Sequence, residues 1–124
     1  VFISADRGTS WVRHFDDMGP NILNGEADGS GNKTQAIYDL AIEVSPINEE
    51  RIFVGSINIW RSFDGGDHWV ITSHWRQDWD EYEYVHADIH ELIYNGTTLF
   101  AGCDGGIFKT ITSGLVWIDI SEGL

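Results

Sequence analysis

Apolar and polar residues alternate one for one where the chain is most regular. Tyr38, Leu40, Ile42 and Val44 are interleaved with Asp39, Ala41 and Glu43, the period of two expected of a strand with one buried face. Ser45-Pro46-Ile47-Asn48 closes this run with turn residues, and three more runs of strand length follow: Arg51 to Gly55, Ile59 to Phe63 and Trp69 to Ser73. After an insertion from Trp75 to Tyr84 the same order returns as His86 to Tyr94, Leu99 to Gly102, Ile107 to Thr110 and Val116 to Ile120. Ile52-Phe53-Val54-Gly55 and Leu99-Phe100-Ala101-Gly102 read as one element written twice, and so do Ile59-Trp60-Arg61-Ser62 and Ile107-Phe108-Lys109-Thr110. The pattern predicts an all-β chain with two complete four-stranded antiparallel units, at 36–74 and 85–120.

The turns repeat with the strands. Ser62, Asp64, Gly66 and Trp69 form a bend S/T-x-D-x-G-x-x-W, in which the carboxylate accepts backbone amides, glycines supply positive φ and the indole anchors the outgoing strand. Ser4, Asp6, Gly8 and Trp11 have the same form, whereas Thr110, Gly114 and Trp117 keep it with Thr112 in place of the aspartate. Residues 1–15 therefore read as the outer hairpin of a further unit. The motifs resemble the Asp-box, or bacterial neuraminidase, repeat of β-propellers. Together with Val85-His86-Ala87-Asp88-Ile89-His90 and Gly102-Cys103-Asp104-Gly105-Gly106-Ile107-Phe108, they are similar to secreted bacterial glycosyl hydrolase-like proteins and, more distantly, to sortilin-type receptors. The resemblance implies a partial propeller of about two and a half blades, secreted or at the cell surface, in which the boxes are hairpin staples away from the ligand. A closed propeller takes about four to eight blades, so the expected partners are the remaining blades of a parent protein or other copies of the chain.

Charge narrows the partners. The 124 residues hold 20 acidic and 7 basic side chains, a formal net charge of −13. That balance excludes phosphate-rich partners such as nucleic acid and suits a secreted protein or a cation-binding surface. No apolar run approaches membrane-spanning length, which argues against membrane insertion, and Cys103 has no second cysteine to pair with.

Three stretches carry candidate chemistry. His86, Asp88 and His90 stand where the preceding unit has Ala36, Tyr38 and Leu40, and a strand would place all three on one face. Imidazoles and a carboxylate on one face could transfer protons, contact a ligand or bind metal; they could equally form a polar network between two sheets. Trp75, Arg76, Trp79, Tyr82 and Tyr84 belong to an insertion with four acids, a composition suited to stacking on sugars and accepting their hydroxyl hydrogens, or simply to a solvated cover. Asn24, Glu26 and Asp28 alternate in a glycine-rich stretch as calcium ligands do, with Gln35 where a bidentate glutamate belongs; a plain surface loop over 16–35 is the alternative. Calcium is the only cofactor in view.

The sequence therefore predicts a non-catalytic module for glycan or protein, with two alternatives: part of a glycoside hydrolase, or a structural spacer of a large surface protein. A hydrolase needs two carboxylates across a cleft, and the pair available is Asp88 with Asp78, Asp80 or Glu83. Sialidase chemistry fits poorly, because of the arginines only Arg76 falls in a face loop.

Overall fold

The computed structural model describes residues 1–13 and 19–123. Ten strands form three antiparallel sheets, and the described residues contain no helix. The first sheet is a hairpin, β1 (Phe2–Ile3) with β2 (Val12–Arg13). The second is a meander of β3 (Ala41–Val44), β4 (Ile52–Gly55), β5 (Ile59–Ser62) and β6 (Val70–Ser73). The third repeats it with β7 (Ile89–Asn95), β8 (Thr98–Cys103), β9 (Gly106–Thr110) and β10 (Ile118–Asp119). The end of the expected first hairpin, His14 and Phe15, lies outside the described residues.

The sheets stack face to face in chain order. Phe53, Ile59 and Ala41 of the second sheet pack on Ile89, Leu92, Leu99 and Phe108 of the third. On its other face the second sheet places Ile52, Val54, Trp60 and Trp69 against Ile3 and against Ile22 of the long connection. That connection, read as a surface loop, is thus partly core: Ile22 and Asn24 are buried because the Asn21 and Asn24 amides both donate to the Gly31 carbonyl and curl the segment over the sheet. The strand expected from Tyr38 begins only at Ala41, since the Tyr38 and Asp39 amides both donate to the Gln35 carbonyl and hold a turn. Its alternation also faces the other way. Leu40 and Ile42 are 53% and 56% exposed and line a cleft of ≈ 900 Å³ with Phe2, while Asp39 and Ala41 point inward.

The second and third repeated turns join the third strand of a four-stranded sheet to the fourth, and the first joins β1 to β2. In each the first hydroxyl accepts an amide four residues on: Gly8 to Ser4 at 2.6 Å, Gly66 to Ser62 at 2.9 Å, Gly114 to Thr110 at 3.0 Å. The residue at the aspartate position accepts the next amide, Ser10 to Asp6 at 2.8 Å and His68 to Asp64 at 2.9 Å. Thr112 does the same with its hydroxyl, taking the Val116 amide at 2.9 Å. Arg7-Gly8, Gly65-Gly66 and Ser113-Gly114 share the left-handed pair of φ values that the bend requires. Trp69 and Trp117 are buried whereas Trp11 is 62% exposed, in keeping with the incomplete first sheet.

These donors hold the Asp64 carboxyl well below the usual range, the His68 amide contributing most, and they bring Asp6 to about 2, with the Ser10 hydroxyl first. A lowered folded pKa stabilises above the unfolded value and is lost as pH falls. Asp64→Asn should therefore lower the denaturation midpoint at neutral pH, and the gap to the unsubstituted chain should close as pH falls below about 4. A gap that does not change with pH in chemical denaturation would refute this account.

A second prediction concerns the contact between sheets. A Cβ at Gly55 would sit 2.5 Å from Ile89 Cγ2, whereas at Gly102, its counterpart in the repeat, the nearest atom is 3.7 Å away. Gly55→Ala should destabilise by about 1–3 kcal/mol, and Gly102→Ala should stay within about 0.5 kcal/mol. Equal midpoints for the two variants would show that the sheets do not meet there.

Candidate functional site

Antiparallel meanders sort the connections to two ends. The repeated turns share one end with the β3–β4 and β7–β8 turns, and there Gly65 donates its amide to the Glu50 carbonyl. The β4–β5 and β8–β9 turns, the segment entering β3 and the segment from β6 to β7 share the other. The β4–β5 turn organises that loop end: the Ser56 carbonyl accepts the Ile89 amide at 2.8 Å, and Asn58 bonds to the Asn24 carbonyl and the Trp75 amide. Two polar groups form on either side of this turn.

On one side lie the histidines, in an arrangement that differs from the expected shared face. β7 starts at Ile89, a bulge falls between Ile89 and Glu91, and Asp88 is left-handed at φ 66°, so His86 and Asp88 precede the strand and His90 occupies the bulge. The single strand face expected of His86, Asp88 and His90 is therefore not formed. His90 Nε2 pairs with Asp104 Oδ1 at 2.6 Å, and Tyr38 donates its hydroxyl to Asp104 Oδ2 at 3.2 Å while standing edge-on to the His90 ring. His86 packs over Gly105, where any side chain would collide with the imidazole, and its Nδ1 meets the Ala87 carbonyl. Asp88 Oδ1 accepts from the Gln35 amide at 3.2 Å.

Two carboxylates in this cluster carried no signal of their role in the sequence. Asp104 lies in the Asp104-Gly105 turn, and nothing in the sequence marks its reach to His90 and Tyr38. Asp39 read as the polar, solvent-facing member of an alternating pair, yet it is 0% exposed. Its Oδ1 accepts from Ser56 Oγ at 3.3 Å, its Oδ2 has no partner, and the Asp88 carboxylate is a neighbour whose charge acts on it. Burial first, and then the Asp88 charge, push the Asp39 carboxyl above its ordinary value.

On the other side is the Trp75–Tyr84 insertion. His74 is buried at its root, with Nε2–H donating to the Gly25 carbonyl at 3.0 Å and Nδ1 accepting the Arg76 amide at 3.1 Å. Both bonds fix one neutral tautomer, and burial holds its pKa below the ordinary value. Trp79 stacks on this imidazole at 4.4 Å, Tyr82 lies 6.0 Å from Trp79, and the Arg76 guanidinium stands over the Trp79 ring while pairing with Asp78. Trp75, 43% exposed, is tied to the Gly25 carbonyl through its indole N–H. Tyr84 turns inward instead, bridging to His74 and packing edge-on to Phe108, so it serves the core. Glu83 likewise turns to structure, accepting the Trp117 amide at 2.9 Å.

Trp79 and Tyr82 line a cleft of ≈ 470 Å³ together with Glu26, Asp28, Asp80 and Glu81. Asn24 is not with them: it is buried beneath, its oxygen accepting the Glu26 amide and its NH₂ donating to Gly31. The expected alternation of calcium ligands is thus divided between a structural amide and two cleft carboxylates, and Asp28 Oδ1 already accepts the Ser30 amide. Among the described residues no group of three His, Cys, Asp or Glu side chains is placed to hold a metal ion.

Comparison with protein-family models finds no match, and neither does comparison with curated proteins or with solved structures.

The Asp104 geometry is testable on its own. The hydrogen bond and charge of Asp104 raise the Tyr38 phenol above its ordinary value. Asp104→Ala should lower the alkaline transition of one tyrosine in a difference titration against the unsubstituted chain. Superimposable titrations would place Tyr38 away from Asp104.

Proposed function

We propose that the chain is a segment of an extracellular Asp-box β-propeller and that it binds glycan, without catalysis, through its loop end. The observation that carries this reading is the sorting of chemistry between the ends. The three repeated turns spend their hydroxyls and carboxylates on their own amides, while the aromatic and acidic cleft and the His90–Asp104 cluster both lie at the opposite end. Polyhydroxylated ligands suit the cleft, because ring faces pack on Tyr82 and the edge of Trp79 while the carboxylates accept hydroxyl hydrogens.

The propeller part of the proposal rests on the repeated register. Ile93, Phe100, Lys109 and Ile118 lie in one cross-strand row on the outer face of the third sheet, the row that in the second sheet contains Glu43, Phe53, Arg61 and Val70. In the second sheet Phe53 of this row is covered by the third sheet. Ile93 and Ile118 are 54% and 45% exposed, so the outer row offers the next sheet, from the same parent or from another copy, an equivalent surface. Glycoside hydrolysis is less well supported. Of the partners named for Asp88, Glu83 accepts the Trp117 amide, Asp78 pairs with Arg76, and Asp80 lines the aromatic cleft on the other side of the β4–β5 turn.

Affinity electrophoresis of the full chain through a panel of neutral and amino polysaccharides tests the reading. At least one polysaccharide should retard it, and Tyr82→Ala should weaken that binding by about tenfold, the worth of one stacked ring. Asp64→Asn should leave the affinity unchanged at a temperature where both proteins are folded. Retardation by none of the panel, or binding lost in Asp64→Asn and kept in Tyr82→Ala, would overturn it.

A further inference from the structure

Asp39 is a carboxylate on which burial and like charge act together. It is fully buried, one of its oxygens has no hydrogen-bond partner, and another carboxylate, Asp88, stands beside it. Burial, the Asp88 charge and the Ser56 hydroxyl are the largest influences on it; the His90 imidazole is committed to Asp104, and that of His86 meets a backbone carbonyl. A buried carboxylate with a second carboxylate beside it is poorly compensated unless a cation or a proton joins it. The backbone at this point is strained, since Asp88 adopts the left-handed conformation at φ 66°, and its side chain meets Gln35 ahead of the second sheet.

We propose that Asp39 and Asp88 bind a hard divalent cation, calcium, at the junction of the second and third sheets, with the Gln35 side-chain oxygen as a third protein ligand. Gln35 already reaches Asp88, and turning its amide by half a rotation, which exchanges chemically similar ends, presents oxygen in place of NH₂. The donor set is then oxygen only, from two carboxylates and an amide, which suits calcium with its flexible geometry and tolerance of bound water. Zinc would draw on imidazoles, and both nearby histidines are otherwise held. Few protein ligands mean weak binding, in the range of about 10⁻⁴ to 10⁻³ M found for extracellular calcium modules. The ion would tie the segment entering β3 to the segment entering β7, at the point where Ser56 already bonds to both Asp39 and Ile89. The site stands on these residues whichever ligand the aromatic cleft takes.

The test is thermal denaturation of the full chain, freed of metal by EDTA dialysis and measured with and without about 10 mM CaCl₂. The midpoint should rise by about 5 °C with calcium. That rise should vanish in Asp39→Asn and in Asp88→Asn, and persist in Asp28→Asn, which lies in the aromatic cleft. Should Asp39→Asn fail to fold, Asp88→Asn, whose side chain is partly exposed, gives the same reading. Two results would overturn the proposal. One is no calcium-dependent rise in the unsubstituted chain, with a midpoint in EDTA that falls as pH increases; the pair would then share a proton. The other is a rise kept in both aspartate variants and lost in Asp28→Asn, which would put the ion in the cleft.

Discussion

The close approach of Gly55 to Ile89 sets how the two complete sheets meet. With no Cβ at Gly55, the Ile89 side chain enters the space above β4, and the backbone follows until the Ile89 amide reaches the Ser56 carbonyl. One hydrogen bond and one buried isoleucine thus fix where β7 begins. The rest of the inter-sheet core, Phe53 and Ile59 against Leu92, Leu99 and Phe108, lies along the line those two contacts define. The same contact positions the chemistry, because Asp88 immediately precedes Ile89 and Asp39 bonds to the neighbouring Ser56. Moving the sheets apart would separate the two carboxylates. In this molecule the packing and the polar cluster depend on one glycine.

Much of this fold is legible in the sequence because the chain repeats itself. A strand of four to six residues is ambiguous when it stands alone, but Ile52-Phe53-Val54-Gly55 and Leu99-Phe100-Ala101-Gly102 constrain one another, and the tryptophan turns mark the same place in each meander. Where no second copy supports the reading, it slips. The segment before β3 alternates well enough to pass as strand from Tyr38 onward, yet the Gln35 carbonyl captures two amides and the chain turns there instead. The inward side of β3 is then set by which side the third sheet occupies, a tertiary fact that composition does not record. Ile42 is outward for that reason, and its apolar side chain borders the cleft beside the first hairpin.

The candidate site was legible in part. The histidines and the aromatic insertion stand out because they break the repeat, but period-two reasoning carries a residue to a face only while pairing is regular. The bulge at His90 and the positive φ at Asp88 each interrupt it, and between them they redirect His90 to Asp104. Asp104 comes from a turn read as structural and Asp39 from a strand face read as solvent-exposed. Neither bears a motif; they join the site because β3, β7 and the β8–β9 turn end at one edge of the stack.

The carboxylates of this acidic chain therefore fall into two populations. Asp6, Asp64 and Asp119 each accept nearby amides or hydroxyls, and those donors hold them below the ordinary value. They are satisfied within a few residues of sequence and ask nothing of the surroundings. Asp39 is the opposite: its main partners are burial and another carboxylate, and both work against its charge. Hydrogen bonds to the charged form make a carboxylate part of the scaffold, whereas desolvation and like charge leave it needing a ligand. The distinction does not depend on proximity to histidine, and it separates the acids that build this protein from those free to bind.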